Sequence, residues 1–361
     1  MVLGGFQKTV SDRVYGFTGH FQVQRFQMSN AFEESPFTFD FSESAGSLNF
    51  LRKTQSYAHK AALMKGDQEV EGVLMKGVGK DFDTLDFKKY LVEGRLIHFP
   101  DSGVSNEVML SSLVANKLRL QVGDRVTMYF VQEPPRFRRV EVVGIFETYL
   151  ENFDEKIVIG ELQTIRNLNG WQADQIGGLE VFVEDANQAD EYIPALEKSL
   201  DFDLRLIDSR DKFLEIFDWL HLLDTNVVVF ISLIGFVAIF NMGAILFILI
   251  MERTQMIGLL KAMGAKNSQV RRIFFWNGMK ILGRGLILGN LIGLGIGLLQ
   301  DQFHLIPLDP VNYYMSYVPI DWNWPIFILL NLGISILTAL VLWIPVVVIS
   351  KVDPIKSIRF D

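Results

Sequence analysis

The sequence contains no cysteine. Disulfides, thiolate metal sites and cysteine nucleophiles are excluded together. The five histidines, His20, His59, His98, His221 and His304, are isolated and none has metal-ligand spacing, so each reads as a surface or packing residue. A phosphate-binding loop is lacking as well. Gly72 and Gly77 have the right separation, but Val78 stands where the lysine must be. Carboxylate pairs such as Glu33 and Glu34 read as solvated loop, and no nucleophile elbow or acid–base dyad is present. No metal, no cofactor and no enzymatic activity are expected. A formal charge of −8 argues against a nucleic-acid partner. The chain opens without a basic segment followed by an apolar one, so no signal peptide is visible. Neither a fixed-period repeat nor a low-complexity tract stands out.

What the sequence has in quantity is apolar residues, 49% of 361. They concentrate in three runs, each long enough to cross a hydrocarbon core of ~30 Å. The expected spans are about 227–250, 274–299 and 325–349, the last with no charge at all. In the second, Gly285, Gly289, Gly293 and Gly297 recur at every fourth residue. That spacing puts four bare backbones on one helix face, where another helix can approach closely.

Residues 1–225 read as a separate α+β domain. Strands are predicted at His20–Met28, Ser56–Met64, Glu69–Val78, Arg125–Gln132, Arg139–Phe146, Gly178–Glu184 and Asp203–Ile207, and Phe37–Phe41 is a further short aromatic run. A turn is expected at Gly66 and Asp67. Helices are expected at Phe82–Leu91, Ser111–Leu120, Gln188–Leu200 and Asp211–Leu223. Pro134 and Pro135 force a loop between two of the strands, extending to Arg136 and Phe137.

Residues 226–361 carry the spans and the charge asymmetry that orients them. Between the first two spans lie Arg253, Lys261, Lys266, Arg271 and Arg272, with Glu252 as the one acid of Met251–Phe275. The outer segment Gln300–Trp324 has Asp301, Asp309 and Asp321 and no lysine or arginine, whereas the tail carries Lys351, Lys356 and Arg359. The positive-inside rule then puts the first loop and the C-terminus in the cytoplasm, and 300–324 with the N-terminal domain outside. The loop itself is patterned. Met256, Leu259, Leu260 and Met263 lie at helical spacing over 252–264, Gly264 is placed for a left-handed cap, and Asn267 or Ser268 can cap the next helix.

The order Glu252, Arg253, Thr254, then Ile257, Gly258, then Lys261, Ala262, Met263, Gly264, Ala265 resembles the E-R-T-x-x-I-G-x-L-K-A-x-G-A signature of FtsX/MacB-type ABC transporter permeases. Further likenesses run along the chain. Val140–Phe146 is similar to a strand of the family's periplasmic core. Leu305–Leu308, Tyr313, Tyr314, Val318 and Pro319 resemble the outer loop of the lipoprotein-releasing LolC/LolE branch. Asp353–Asp361 is similar to the family's closing P-x-x-A-L-R-x-E.

The resemblance implies a MacB-like periplasmic core on an α-helical membrane bundle with four spans. Three of these are visible and the first is expected before Met1. It implies a coupling helix at 252–264 that docks on a separate cytoplasmic ATPase of LolD type, and a second permease copy or a paralogue as partner. It also implies a lipoprotein taken from the outer leaflet of the inner membrane, in contact with membrane lipid. A periplasmic carrier would be met at the hairpin of Pro134, Pro135, Arg136 and Phe137, which is shorter here than the carrier-gripping hook of LolC-like members. Alternatives within the family are a signalling permease that activates cell-wall hydrolases and an exporter of periplasmic substrates. Outside it stands a membrane-anchored sensor or adhesin.

Overall fold

A computed structural model describes residues 1–26, 34–39, 48–66, 69–100 and 103–348. The residues expected at Met28, Glu33, Phe41, Asp67 and Ile349, and the tail with Lys351, Lys356, Arg359 and Asp353–Asp361, lie outside these. The chain packs as two compact units. The first holds residues 8–217 and 308–316, and the second holds 1–7, 218–307 and the chain from Tyr317 on.

In chain order the elements are α1 (Val2–Thr18), β1 (Phe21–Arg25), β2 (Leu51–Lys65), β3 (Val70–Val78), α2 (Thr84–Phe87), β4 (Leu91–Gly94), β5 (Glu107–Ser111), α3 (Ser112–Leu118), β6 (Arg125–Phe130), β7 (Arg136–Phe146), α4 (Glu151–Asp154), β8 (Ile157–Glu161), α5 (Leu162–Asn169), β9 (Gly178–Val183), α6 (Ala189–Lys198) and β10 (Leu204–Asp208). Then come α7 (Ser209–Lys212), α8 (Leu214–Glu252), α9 (Thr254–Ala262), α10 (Asn267–Phe303), α11 (Pro310–Tyr313) and α12 (Trp324–Val348).

The first unit is built on a ten-stranded mixed sheet of order β10-β1-β9-β2-β3-β8-β5-β7-β4, with β6 pairing both β2 and β7. The pairings β2-β3-β8-β5-β7-β6-β2 therefore close a ring. β2 is long enough to serve two neighbours on one edge. Its first half pairs β9 from Leu51 to Tyr57, and its last residues, Ala62–Lys65, pair β6. Its other edge pairs β3.

Alternation sorts the side chains: Ala62 and Met64 lie in the core, Leu63 faces out. Inside, Met64, Val73, Met75, Leu110, Val126, Met128, Phe130 and Val142 form one cluster with Leu162, Ile165 and Leu168 of α5. Each such side chain taken fully from water contributes roughly 1.5–3 kcal/mol. A second, aromatic layer brings Phe17 within 4.7 Å of Phe153 and puts Phe87 at 5.5 Å from Phe146, ring centre to ring centre.

Several expectations from the sequence are corrected here. The helix predicted at Phe82–Leu91 shrinks to α2 and one 3-10 turn, Lys88–Tyr90, because Leu91–Gly94 pairs β7 as β4. Asp211–Leu223 is not a helix of its own. The short α7 stops at Phe213 and α8 starts at Leu214, running on through the first span. Glu34 is no solvated acid: it accepts hydrogen bonds from the backbone N–H of His59 at 2.9 Å and lies 2.7 Å from its ring Nδ1. β5 and β8, with α5, were not anticipated.

Among the described residues three helices are long and apolar enough to cross a membrane, α8, α10 and α12, and all but the first residues of α8 belong to the second unit. α10 and α12 are tied in mid-helix by the Asn290 side-chain amide donating to Asn331 Oδ1 at 2.8 Å. Gly278 lets them close up lower down, where a Cβ would stand 3.0 Å from Leu342. At the other end of α10, Gln300 holds the chain's return, donating to Val318 O at 3.0 Å and accepting from Ile306 N at 2.9 Å.

Candidate functional site

The residues singled out between the first two spans form one compact turn. α8 ends at Glu252, and the α9 helix begins at Thr254 after a single non-helical residue, Arg253, at φ −101° and ψ 15°. The Thr254 hydroxyl bonds back to Met251 O at 2.6 Å. Such a back-bond competes with the backbone ladder and bends a helix. The expected helix over 252–264 is thus set off from the span by a one-residue break.

α9 ends as its sequence demands. Gly264 has φ +94°, Gly264 N–H donates to Lys261 O at 3.0 Å, and Ala265 N–H donates to Leu260 O at 3.0 Å. This pair of bonds, one spanning three residues and one five, is the Schellman arrangement that satisfies the last carbonyls of a helix. Nothing lies within 4 Å of where a Cβ on Gly264 would be, so glycine is required there by conformation and not by space. The cap of the next helix differs from expectation. Lys266 is the capping residue, and Gln269 Oε1 accepts its N–H at 2.9 Å; Asn267 and Ser268 already lie in α10.

α9 has two faces. Ile257 and Gly258 are buried, Ile257 in a cluster with Leu246, Ile250, Val270, Phe274 and Leu342. These two anchor α9 to its own helices. On the other side Met256, Leu259 and Met263 are 40%, 57% and 69% exposed, beside exposed Glu252, Arg253 and Ala262 and half-buried Leu260 and Lys261. A nine-residue helix is thus pinned by one isoleucine and shows a methionine-rich surface among cations. Methionine side chains adapt to irregular partner surfaces.

The other candidates fare differently. Gly285, Gly289 and Gly293 meet nothing within 4 Å, and of the four only Gly297 has a neighbour, the Trp322 ring at 3.3 Å from its would-be Cβ. The helix contact the stripe was expected to make is made within this chain by Gly278, which the four-residue spacing does not pick out. At the hairpin, Arg136 and Phe137 belong to β7, which leaves Pro134 and Pro135 as the loop proper. Phe137 is 65% exposed, its ring 6.2 Å from Tyr129 on the paired strand.

The family model of the MacB-like periplasmic core domain matches residues 1–199, and that of the FtsX-like permease C-terminal matches residues 228–354. The chain belongs to the FtsX/MacB family of ABC transporter permeases. Its relatives are distant. It is 21% identical to the lipoprotein-releasing system transmembrane protein LolC of Xylella fastidiosa, across 100% of this chain and 89% of that one. It is 21% identical to LolE of Haemophilus influenzae, across 89% and 80%. It is 24% identical to an uncharacterized membrane protein of Buchnera aphidicola, across 71% of this chain and 65%, just under two thirds, of that protein. As an FtsX/MacB permease the chain is a membrane subunit of an ABC transporter, and family membership implies a cytoplasmic ATPase as a separate subunit. The ten-stranded unit contains the family's periplasmic core, and the three apolar helices lie in the FtsX-like region.

Proposed function

We propose that this permease works in lipoprotein release: it couples a LolD-like ATPase to the lifting of a lipoprotein from the outer leaflet of the inner membrane. α9 is the lever. Its outward surface of Met256, Leu259 and Met263, framed by Glu252, Arg253 and Lys261, docks in a groove of the ATPase. Ile257 and Gly258 carry the displacement inward to the ends of the spans. Thr254, Gly264 and Ala265 fix the angle at which α9 leaves one helix and enters the next.

The observation that carries the reading is an exposed helix, closed by a glycine cap and set between two membrane-length helices, with its apolar residues divided between an anchored and an open side. The charge pattern of the loops supports a cytoplasmic α9 and C-terminus and an external first unit. The names of the LolC and LolE relatives, matched across most of their length, favour lipoproteins over the cell-wall and export alternatives. A second copy or a paralogue completes the transporter, and a periplasmic carrier receives the cargo at the Pro134–Phe137 hairpin.

Two measurements test this. A photo-crosslinker at Met263 should capture an ATP-binding protein; capture of none removes the lever. Depletion of the permease followed by membrane fractionation should leave acylated proteins in the inner membrane; an unchanged distribution removes the cargo and leaves the coupling intact.

A further inference from the structure

The ring of strands in the first unit has an opening in its wall. β5 pairs β7 only from Glu141 onward, so residues 136–140 pair β6 on one side and no described strand on the other. Along that free edge lies a cleft of about 420 Å³, lined by Val104, Asn106, Phe137, Arg138, Arg139, Thr164 and Asn167. Successive side chains of a strand project to opposite faces. Arg138 and Arg139 therefore leave β7 on opposite faces, and both exposed residues belong to the lining of the cleft. Neither side chain makes a hydrogen bond or ion pair with another described residue.

The neighbouring arginines are committed elsewhere. Arg136 donates to the carbonyls of Asn167 and Leu168 at 3.3 Å each, at the C-terminal end of α5. Arg125 pairs with Glu141 at 3.2 Å. No carboxylate is among the described lining residues, and the remaining polar groups, Asn106, Thr164 and Asn167, are neutral donors or acceptors.

We propose that this cleft binds the phosphate group of an organic phosphate ester. Two arginines in one lining, accompanied by neutral donors and no carboxylate, suit a tetrahedral oxyanion. A planar carboxylate is satisfied by the fork of a single arginine. The volume falls in the range of small-molecule sites, roughly 300–1,000 Å³, and leaves room beyond the phosphate for its organic part. Phe137 and Val104 supply the apolar contact for that part. Phospholipid headgroups and soluble phosphate esters share this chemistry. The site stands on the cleft alone and does not depend on the coupling role of α9.

The test uses the full chain in a neutral detergent and measures binding calorimetrically. The probes are inorganic phosphate, glycerol 3-phosphate and dihexanoyl phosphatidylglycerol below its micellar concentration. Glycerol 3-phosphate should bind, and Arg138→Gln and Arg139→Gln should each weaken it about ten-fold, the loss of one charge-assisted hydrogen bond. Arg125→Gln removes the same charge outside the cleft and should change nothing. Tighter binding of the short-chain lipid than of glycerol 3-phosphate would assign the site to a headgroup, and the reverse order would assign it to a soluble ester. No binding of either ester, binding of inorganic phosphate alone, or equal loss in all three variants would overturn the proposal. So would capture of an acidic peptide in place of the esters, which would make the arginines a protein contact.

Discussion

Lys76 and Glu180 meet at 2.6 Å with 4% and 3% of their side chains exposed. Lys76 also donates to Phe17 O at 2.6 Å and lies over the Phe17 ring. Lys212 lies nearby, donating to Gln22 Oε1 at 2.7 Å, and desolvation of its ammonium holds its pKa below the usual lysine range. A buried pair is weak evidence of net stability, but breaking it strands a charge. Lys76→Met should therefore destabilise the first unit by about 3–5 kcal/mol, and Lys76→Met with Glu180→Leu should recover most of the loss, read by chemical denaturation.

His20 gives a second test. Burial first, then the nearby Arg52, lowers its pKa to about 4, and its Nδ1 accepts the Val183 N–H at 3.2 Å. The unfolded histidine binds its proton near pH 6.5, so between about 4 and 6.5 the unfolded state holds more protons. Stability is full above that window and falls as pH drops through it, by about 3 kcal/mol. His20→Asn should flatten this part of the melting-temperature profile against pH. The pattern at Val70–Val78 announces a strand, but nothing local reveals that Lys76 is inside, because its partner lies 104 residues away.

At the level of the element, α9 was the most legible part of the chain. A glycine after a run of helix formers, followed by a polar turn, specifies a capped helix by local chemistry alone. The side that α9 buries was not legible, since Ile257 shares a cluster with Val270, Phe274 and Leu342, and no local pattern says that these residues meet. β5 and β8 were missed for a related reason. Their residues are half-buried or wholly buried, so no alternation marks them as strands. The Asn290–Asn331 bond and the Gly278 contact are pairings between helices that neither helix announces alone.

Gly264 carries the prediction that belongs here. A side chain at this positive φ costs about 1–2 kcal/mol, least for asparagine. Gly264→Val should leave membrane insertion intact and separate ATP hydrolysis from transport, while Gly264→Asn should retain much of the coupling. Reconstituted ATPase and release assays on both variants decide it; normal transport by the valine variant would remove the turn from the mechanism.

For the whole molecule, the open side of α10 bears on assembly. Among the described residues nothing lies within 4 Å of a would-be Cβ on Gly285, Gly289 or Gly293, so a second permease copy placed there would meet bare backbone. Gly289→Leu with Gly293→Leu should lower the dimer fraction in detergent, measured by light scattering, with expression and insertion unchanged. The division between a polar sheet domain and an apolar helical one was legible from composition. The closure of six strands into a ring was not, because it rests on β6 pairing β2 and β7 together.

That closure has a mechanical side. The backbone of Leu51–Lys65 runs unbroken from the β9 neighbourhood into the ring, so a pull at one end is borne by covalent bonds rather than by the softer ladder between strands. The ring and its flanking strands therefore share one uninterrupted segment, and they can be parted only by stripping β2 from β9.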